Sequence, residues 1–248
     1  MNDPQDTCTG YYPVLLDLRG KRCLVVGGGA VAVRKVRGLL GAGADVTVIS
    51  PTTDPPLERW GAEGRVRLRR RHYTAGELRG FFLVIGATDD EAVNGRIGSE
   101  ALAGNVLCNI VDRPKACSFI LPSIVRRRDL IIAVSTSGKS PAYAKRLRRE
   151  LEKQYGPEHA VLLDLMGALR GRLLAGDHAP EAHKALFEQL LDGDLLGLIR
   201  KGDAQGIEGL LCEVLGRECR LGDLFPFDPA PLKALGPGAV PQGSTRGE

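Results

Sequence analysis

The sequence predicts an α/β protein: a Rossmann-like, doubly wound parallel sheet, then a β-hairpin with a basic helix, then a small α-helical domain. Three observations predict it. Short apolar runs alternate with amphipathic stretches through the first half, a glycine-rich turn joins the first run to the first stretch, and after Asp112 the alternation gives way to two β-rich runs followed by helical spacing alone.

Cys23 to Val26 is a buried-strand run, and Val31 to Leu40 carries Val33, Val36, Leu39 and Leu40 at helical spacing. Gly41 and Gly43 punctuate the turn into the next strand, Asp45 to Ser50. Val66 and Leu68 alternate with Arg65, Arg67 and Arg69, which predicts a strand with one wet, basic face. Phe82 to Ala87 and Leu107 to Val111 are dry enough for central strands. Between them Asp89 to Ala103 reads as a helix capped by Asp89 or Asp90, with Val93, Ile97 and Leu102 as its apolar positions. Ser118 to Val125 and Leu130 to Thr136 predict a hairpin joined by the polar turn Arg126–Asp129. A basic helix over Ser140 to Gln154 and several helices over Glu158 to Gly216 follow, and the Pro- and Gly-rich tail from Phe225 is expected to be poorly ordered.

These patterns divide the chain into a dinucleotide-binding domain over 1–117, a region for dimerisation and the substrate cleft over 118–155, a helical domain over 156–224 and the tail, 225–248. With 248 residues a real core needs no disulfide scaffold. The six cysteines form no CxxC pair and the start is polar, so a cytoplasmic setting is expected, with no membrane segment. Cys212 and Cys219 read as buried or incidental thiols. The net charge of +4 is modest, but basic residues cluster in Arg65–Arg71 and Lys139–Arg149. Charge alone does not choose among nucleic acid, a membrane surface and a polyanionic small molecule.

Chemistry concentrates at strand ends. Gly27, Gly28, Gly29, Ala30, Val31 and Ala32 form a GxGxxA fingerprint between a strand and a helix: Gly27 for the tight turn, Gly29 for approach to a pyrophosphate, Ala32 for close packing. The second strand ends in Ser50 and Pro51 instead of the usual acidic residue, leaving the ribose to Ser50 or to backbone groups. Thr88 closes its strand either as a cofactor neighbour or as a helix-entry threonine. Asp112 projects from a strand's carboxyl end, where it either takes a proton or caps a turn before Pro114, and Asn109 is expected on the same side. Ser135, Thr136, Ser137, Gly138 and Lys139 precede a helix start and form a plausible anion cradle, extended by Lys145, Arg146, Arg148 and Arg149. The four histidines form no compact metal-ligand motif.

Taken in order, Tyr12 to Leu18, the glycine turn through Pro51, IGATDDEAVN, and the stretch CNIVDRPKACSFILPSIV to SGKSPAYAKRLRRELE resemble the precorrin-2 dehydrogenase family over about residues 11–155. The resemblance implies oxidation of precorrin-2 to sirohydrochlorin with NAD as hydride acceptor, an essential role for Asp112, and cofactor contacts at Gly27, Gly29, Ala30, Val31, Ser50 and Pro51. It also implies a homodimer built on the hairpin and basic helix. Precorrin-2 carries eight carboxylates, so a cleft rimmed by Lys139 and Lys145 is the expected complement; nucleic acid ranks lower, since no aromatic stacking run accompanies the arginines. The loop matching Ser135–Gly138 carries a regulatory phosphoserine in the family's siroheme synthases, and here the aligned residue is Thr136. Those synthases continue into a methyltransferase domain, so methylation is expected from another protein. Two alternatives stand beside this reading: a bifunctional enzyme that also inserts iron or cobalt, and a module that senses NAD without chemistry.

Overall fold

The computed structural model describes residues 10–174, 180–215 and 220–224, and these form two compact units. The first takes the described residues up to Leu121 together with Ser137–Lys139; the second takes Pro122–Thr136 and the described residues from Ser140 to Leu224. Cys219 and the tail from Phe225 lie outside the described residues.

The first unit runs β1 (Arg22–Val26), α1 (Ala30–Gly41), β2 (Asp45–Ile49), α2 (Pro55–Ala62), β3 (Val66–Arg69), β4 (Leu83–Gly86), α3 (Glu91–Ala103) and β5 (Leu107–Ile110). All five strands are parallel in the order β3-β2-β1-β4-β5, so the winding reverses between β1 and β4 and leaves a crevice at their carboxyl ends. Both sheet faces are covered, as the period of two along β1 requires. Cys23 and Val25 join Val33, Val36 and Leu39 of α1 on one face, while Leu24 and Val26 join Val93, Ile97 and Ala101 of α3 on the other. The doubly wound sheet expected from the alternation is therefore present.

Two local expectations change. α3 is capped by Asp90, whose carboxylate accepts from the Val93 N–H at 3.0 Å, and it buries Val93, Ile97 and Ala101. Leu102 is 82% exposed, because it lies one helical step past Ala101 and turns off the buried stripe. α2 did not stand out in the sequence; Pro55 and Pro56 open it, where missing N–H groups cost nothing.

In the second unit β6 (Ser123–Arg127) and β7 (Leu130–Val134) form the antiparallel hairpin. It is shorter than its β-rich composition suggested. Ser118 is drawn back to β5, where its N–H donates to the Cys108 carbonyl and its hydroxyl accepts from the Cys108 N–H. Arg126 and Arg127 lie within β6, and the turn is Arg128–Asp129 alone, with Arg128 at φ +52°. α4 (Pro141–Gln154) is capped by the Ser140 hydroxyl, and Arg127 donates to the Glu152 carbonyl near its end. α5 (Glu158–Leu174), α6 (Pro180–Asp192), α7 (Leu195–Lys201), α8 (Ala204–Leu215) and α9 (Leu221–Leu224) enclose a core of Leu165, Leu169, Leu190, Leu195, Ile199, Ile207 and Leu211. A helical third region was expected and is found. Cys212 is exposed on α8, not buried. Among the described residues no helix is long and apolar enough to cross a membrane.

Candidate cofactor and substrate site

The glycine turn is held from both sides. The Gly27 N–H donates to Ile49 O on β2, the Ala87 N–H donates to Val26 O, and the Asp54 N–H donates to Gly28 O at 2.8 Å. Gly27 sits at φ +122°, and a Cβ there would lie 2.2 Å from the Ala87 carbonyl oxygen. A Cβ on Gly28 would lie 1.9 Å from the Thr52 carbonyl oxygen, so close packing forbids replacing the middle glycine, not weighed by itself in the sequence, as it does Gly27. Gly29 is different: nothing lies within 4 Å of its Cβ position. As the N-cap of α1 it has no side chain to occupy the helix's first N–H groups, and Ala30 beside it is exposed. An open, positively polarised helix start against a closed backbone turn fits a dinucleotide pyrophosphate.

The flanking strand ends are more occupied. Ser50 is buried, and its hydroxyl donates to the Thr52 carbonyl at 2.6 Å, so its proton is committed inside the turn; Pro51 is exposed. Thr88 accepts from the Asp90 N–H through its hydroxyl, the helix-entry role, while its carbonyl accepts from the Asn94 amide at 2.8 Å. The other side of that amide, Asn94 Oδ1, is buried with no hydrogen-bond partner. Asn94 went unnoticed because a polar residue inside a helix usually faces water.

Asp112 stands on a turn just past β5, exposed and at φ +60°. The Val111 N–H donates to Gly86 O and the Arg113 N–H to Ile110 O, closing the turn. Cys117 plugs it from the open edge of β5, with its sulfur 3.2 to 3.3 Å from the Ile110 N, the Ile110 O and the Arg113 O. Asn109 is buried, and its amide donates to the Phe119 carbonyl at 3.1 Å, tying the returning segment to the strand. Val111 and Phe119 pack on the same core cluster as α1. From that helix the half-buried Lys35 comes within electrostatic reach of Asp112. Burial and Arg34 lower the proton affinity of Lys35, while Asp112 and Cys117 oppose them. A lysine at a helical surface spacing gave no sequence signal of this.

The two basic clusters also part company. Folding brings acids to the first: Arg65 pairs with Glu63, Arg67 with Asp45, Arg69 and Arg71 with Glu77, and Arg70 with Glu58. On α4, Arg146 pairs with Glu150 and Arg148 with Glu152, whereas Lys139, Lys145 and Arg149 have no ion pair among the described residues. In the loop before α4, Thr136 accepts from the Ser140 N–H, and Ser137 and Gly138 follow in the left-handed region at φ +51° and +82°. Ser137–Lys139 group with the first unit; Ser135, Thr136 and Lys145 group with the second.

Comparison with known proteins places this arrangement. A family profile described as putative NAD(P)-binding matches residues 14–123, and one described as sirohaem biosynthesis protein central matches residues 127–154. The solved structure of SirC, a precorrin-2 dehydrogenase, superposes with a TM-score of 0.72 at 26% identity, covering 83% of this chain and 100% of that one. The chain is related to precorrin-2 dehydrogenases and siroheme synthases. Siroheme synthases of Nitrosococcus oceani and Methylococcus capsulatus are 39% and 38% identical over 81% and 85% of this chain. The chain spans less than half the length of these curated relatives, 43% and 44% of each. On the matched NAD(P)-binding profile the expectation of NAD as cofactor stands, and the profile boundary near residue 123 falls where the parallel sheet gives way to the hairpin.

Proposed function

We propose that the chain oxidises precorrin-2 to sirohydrochlorin with NAD as hydride acceptor, as a step in siroheme or cobalamin synthesis. The observation that carries this is the match to a precorrin-2 dehydrogenase along the whole length of that protein, joined to a glycine turn open at Gly29 and closed elsewhere. NAD, when bound, takes up the hydride. Gly27, Gly29, Ala30 and Val31 receive its pyrophosphate, and Ser50, Pro51 and Thr88 border the nucleotide. Asp112 accepts the proton lost with the hydride, so two electrons and two hydrogen nuclei leave the macrocycle together.

The substrate's carboxylates are met by the hydroxyl-rich loop Ser135–Lys139 and by Lys145, cations that no acid neutralises in the described fold. Asn109 serves the substrate indirectly, by anchoring the segment behind Asp112. In this reading residues 1–117 bind NAD, 118–155 pair two copies and hold substrate, and 156–224 form the helical domain, in a cytoplasmic homodimer. Sedimentation at micromolar concentration reads the dimer, and a compact monomer would contradict it. The reaction is tested by anaerobic incubation with enzymatically made precorrin-2. Appearance of NADH and sirohydrochlorin in equal amounts is expected, and NAD binding without either product would contradict the reading.

A further inference from the structure

Rossmann sheets that choose NAD usually place a carboxylate at the end of the second strand, on the adenosine 2′-hydroxyl. Ser50 holds that position here and is buried with its proton given to Thr52. The chain then folds back over the glycine turn, with Thr52 O pressed on Gly28 and the Asp54 N–H bonded to Gly28 O at 2.8 Å. The backbone of an acidic residue, Asp54, thus arrives beside the cofactor turn four residues later than the usual position.

Among the described residues its side chain has no hydrogen-bond or ion-pair partner. Asp54 is the N-cap of α2, and an N-cap carboxylate ordinarily accepts from a first-turn N–H, as Asp90 does on α3. On α2 the first two positions are Pro55 and Pro56, which have no N–H, and the Leu57 N–H is taken by the Asp54 carbonyl at 2.9 Å. The carboxylate makes no cap hydrogen bond, and it forms no ion pair among the described residues, although Asp54 is half-buried.

The neighbouring cations are spoken for. β3 lies beside β2, and the Ser50 N–H donates to Arg69 O, so Arg69, Arg70 and Arg71 stand near the strand end where a 2′-phosphate would be bound. Glu77 pairs with Arg69 and Arg71, and Glu58 pairs with Arg70 while accepting the Thr53 hydroxyl. The Arg71 guanidinium holds the Glu77 carboxyl down at about 2, with help from Thr74, and Arg70 and Thr53 hold Glu58 below the usual range. Both acids therefore stay ionised and keep their arginines.

We propose that Asp54 is the specificity-determining carboxylate of the nucleotide site. It accepts from the adenosine 2′-hydroxyl of NAD and repels the 2′-phosphate of NADP, while Glu58 and Glu77 withhold the arginines that would welcome that phosphate. This rests on the cofactor reading proposed above, but its readout is binding and needs no precorrin-2.

The test is calorimetric titration of the full chain with NAD and with NADP, for the unaltered protein, Asp54→Ala, Asp54→Asn and Asp54→Asn combined with Glu58→Gln. Asp54→Ala is expected to weaken NAD about tenfold, the worth of one charge-assisted hydrogen bond. Asp54→Asn keeps an acceptor without the charge, so NAD holds and NADP gains; releasing Arg70 by Glu58→Gln raises NADP further. Unchanged NAD affinity in Asp54→Ala, with unchanged discrimination in Asp54→Asn, would overturn the assignment while leaving the cofactor reading intact. Failure of the unaltered protein to bind either nucleotide would overturn both.

Discussion

The glycine turn after β1 and the Ser135–Lys139 loop before α4 are both glycine-containing segments at helix starts, proposed above to receive anions, yet they are built differently. In the first, the backbone is fixed by neighbours: Gly27 and Gly28 have carbonyl oxygens at 2.2 and 1.9 Å from their Cβ positions, and only Gly29 faces open space. In the second, Gly138 needs its left-handed φ of +82° but meets nothing within 4 Å, and Lys139 and Lys145 are exposed and form no ion pair among the described residues. In the proposed reading the first is a fixed mould for one shape of ligand, and the second offers charge that adjusts to a substrate with many carboxylates.

Three variants sharpen that contrast. Gly28→Ala drives a methyl into the Thr52 carbonyl; it is expected to abolish NAD binding and to cost about 3 kcal/mol of stability, read by nucleotide titration and denaturant unfolding. The double change Lys139→Ala with Lys145→Ala leaves the fold and NAD affinity alone and raises the KM for precorrin-2 about tenfold, an effect that shrinks as salt is added. Gly138→Ala is the mildest, about 1 kcal/mol for holding a non-glycine residue at that φ, with NAD affinity unchanged. If Gly28→Ala bound NAD normally, or if the lysine changes acted on NAD instead of substrate, the division of labour between the two cradles would be wrong.

What the sequence made legible follows the same line. The strands, α1 and the glycine turn could be read because burial on both sheet faces and a tight backbone path each demand particular residue types at particular spacings. Leu102 misled because an apolar residue next to a buried stripe carries no mark of which side it takes. The hairpin was read too long because β-rich composition does not reveal that Ser118 bonds back to Cys108. At the site, Asp112 could be placed by its strand end, but the neighbours that shape its surroundings come from elsewhere in the chain: Lys35 from α1, and Cys117 through sulfur contacts to Ile110. The basic run Arg65–Arg71 looked available in sequence because its partners, Asp45, Glu58 and Glu77, are brought to it only by folding.

The central claim is that this chain removes a hydride and a proton from precorrin-2 with Asp112 at the point of proton loss. It is tested most directly by comparing wild type and Asp112→Asn for NAD affinity and for anaerobic NADH formation from precorrin-2. The account predicts equal NAD affinity and a kcat lower by about 100-fold or more, the usual contribution of a positioned base. Equal turnover in the two proteins would contradict it.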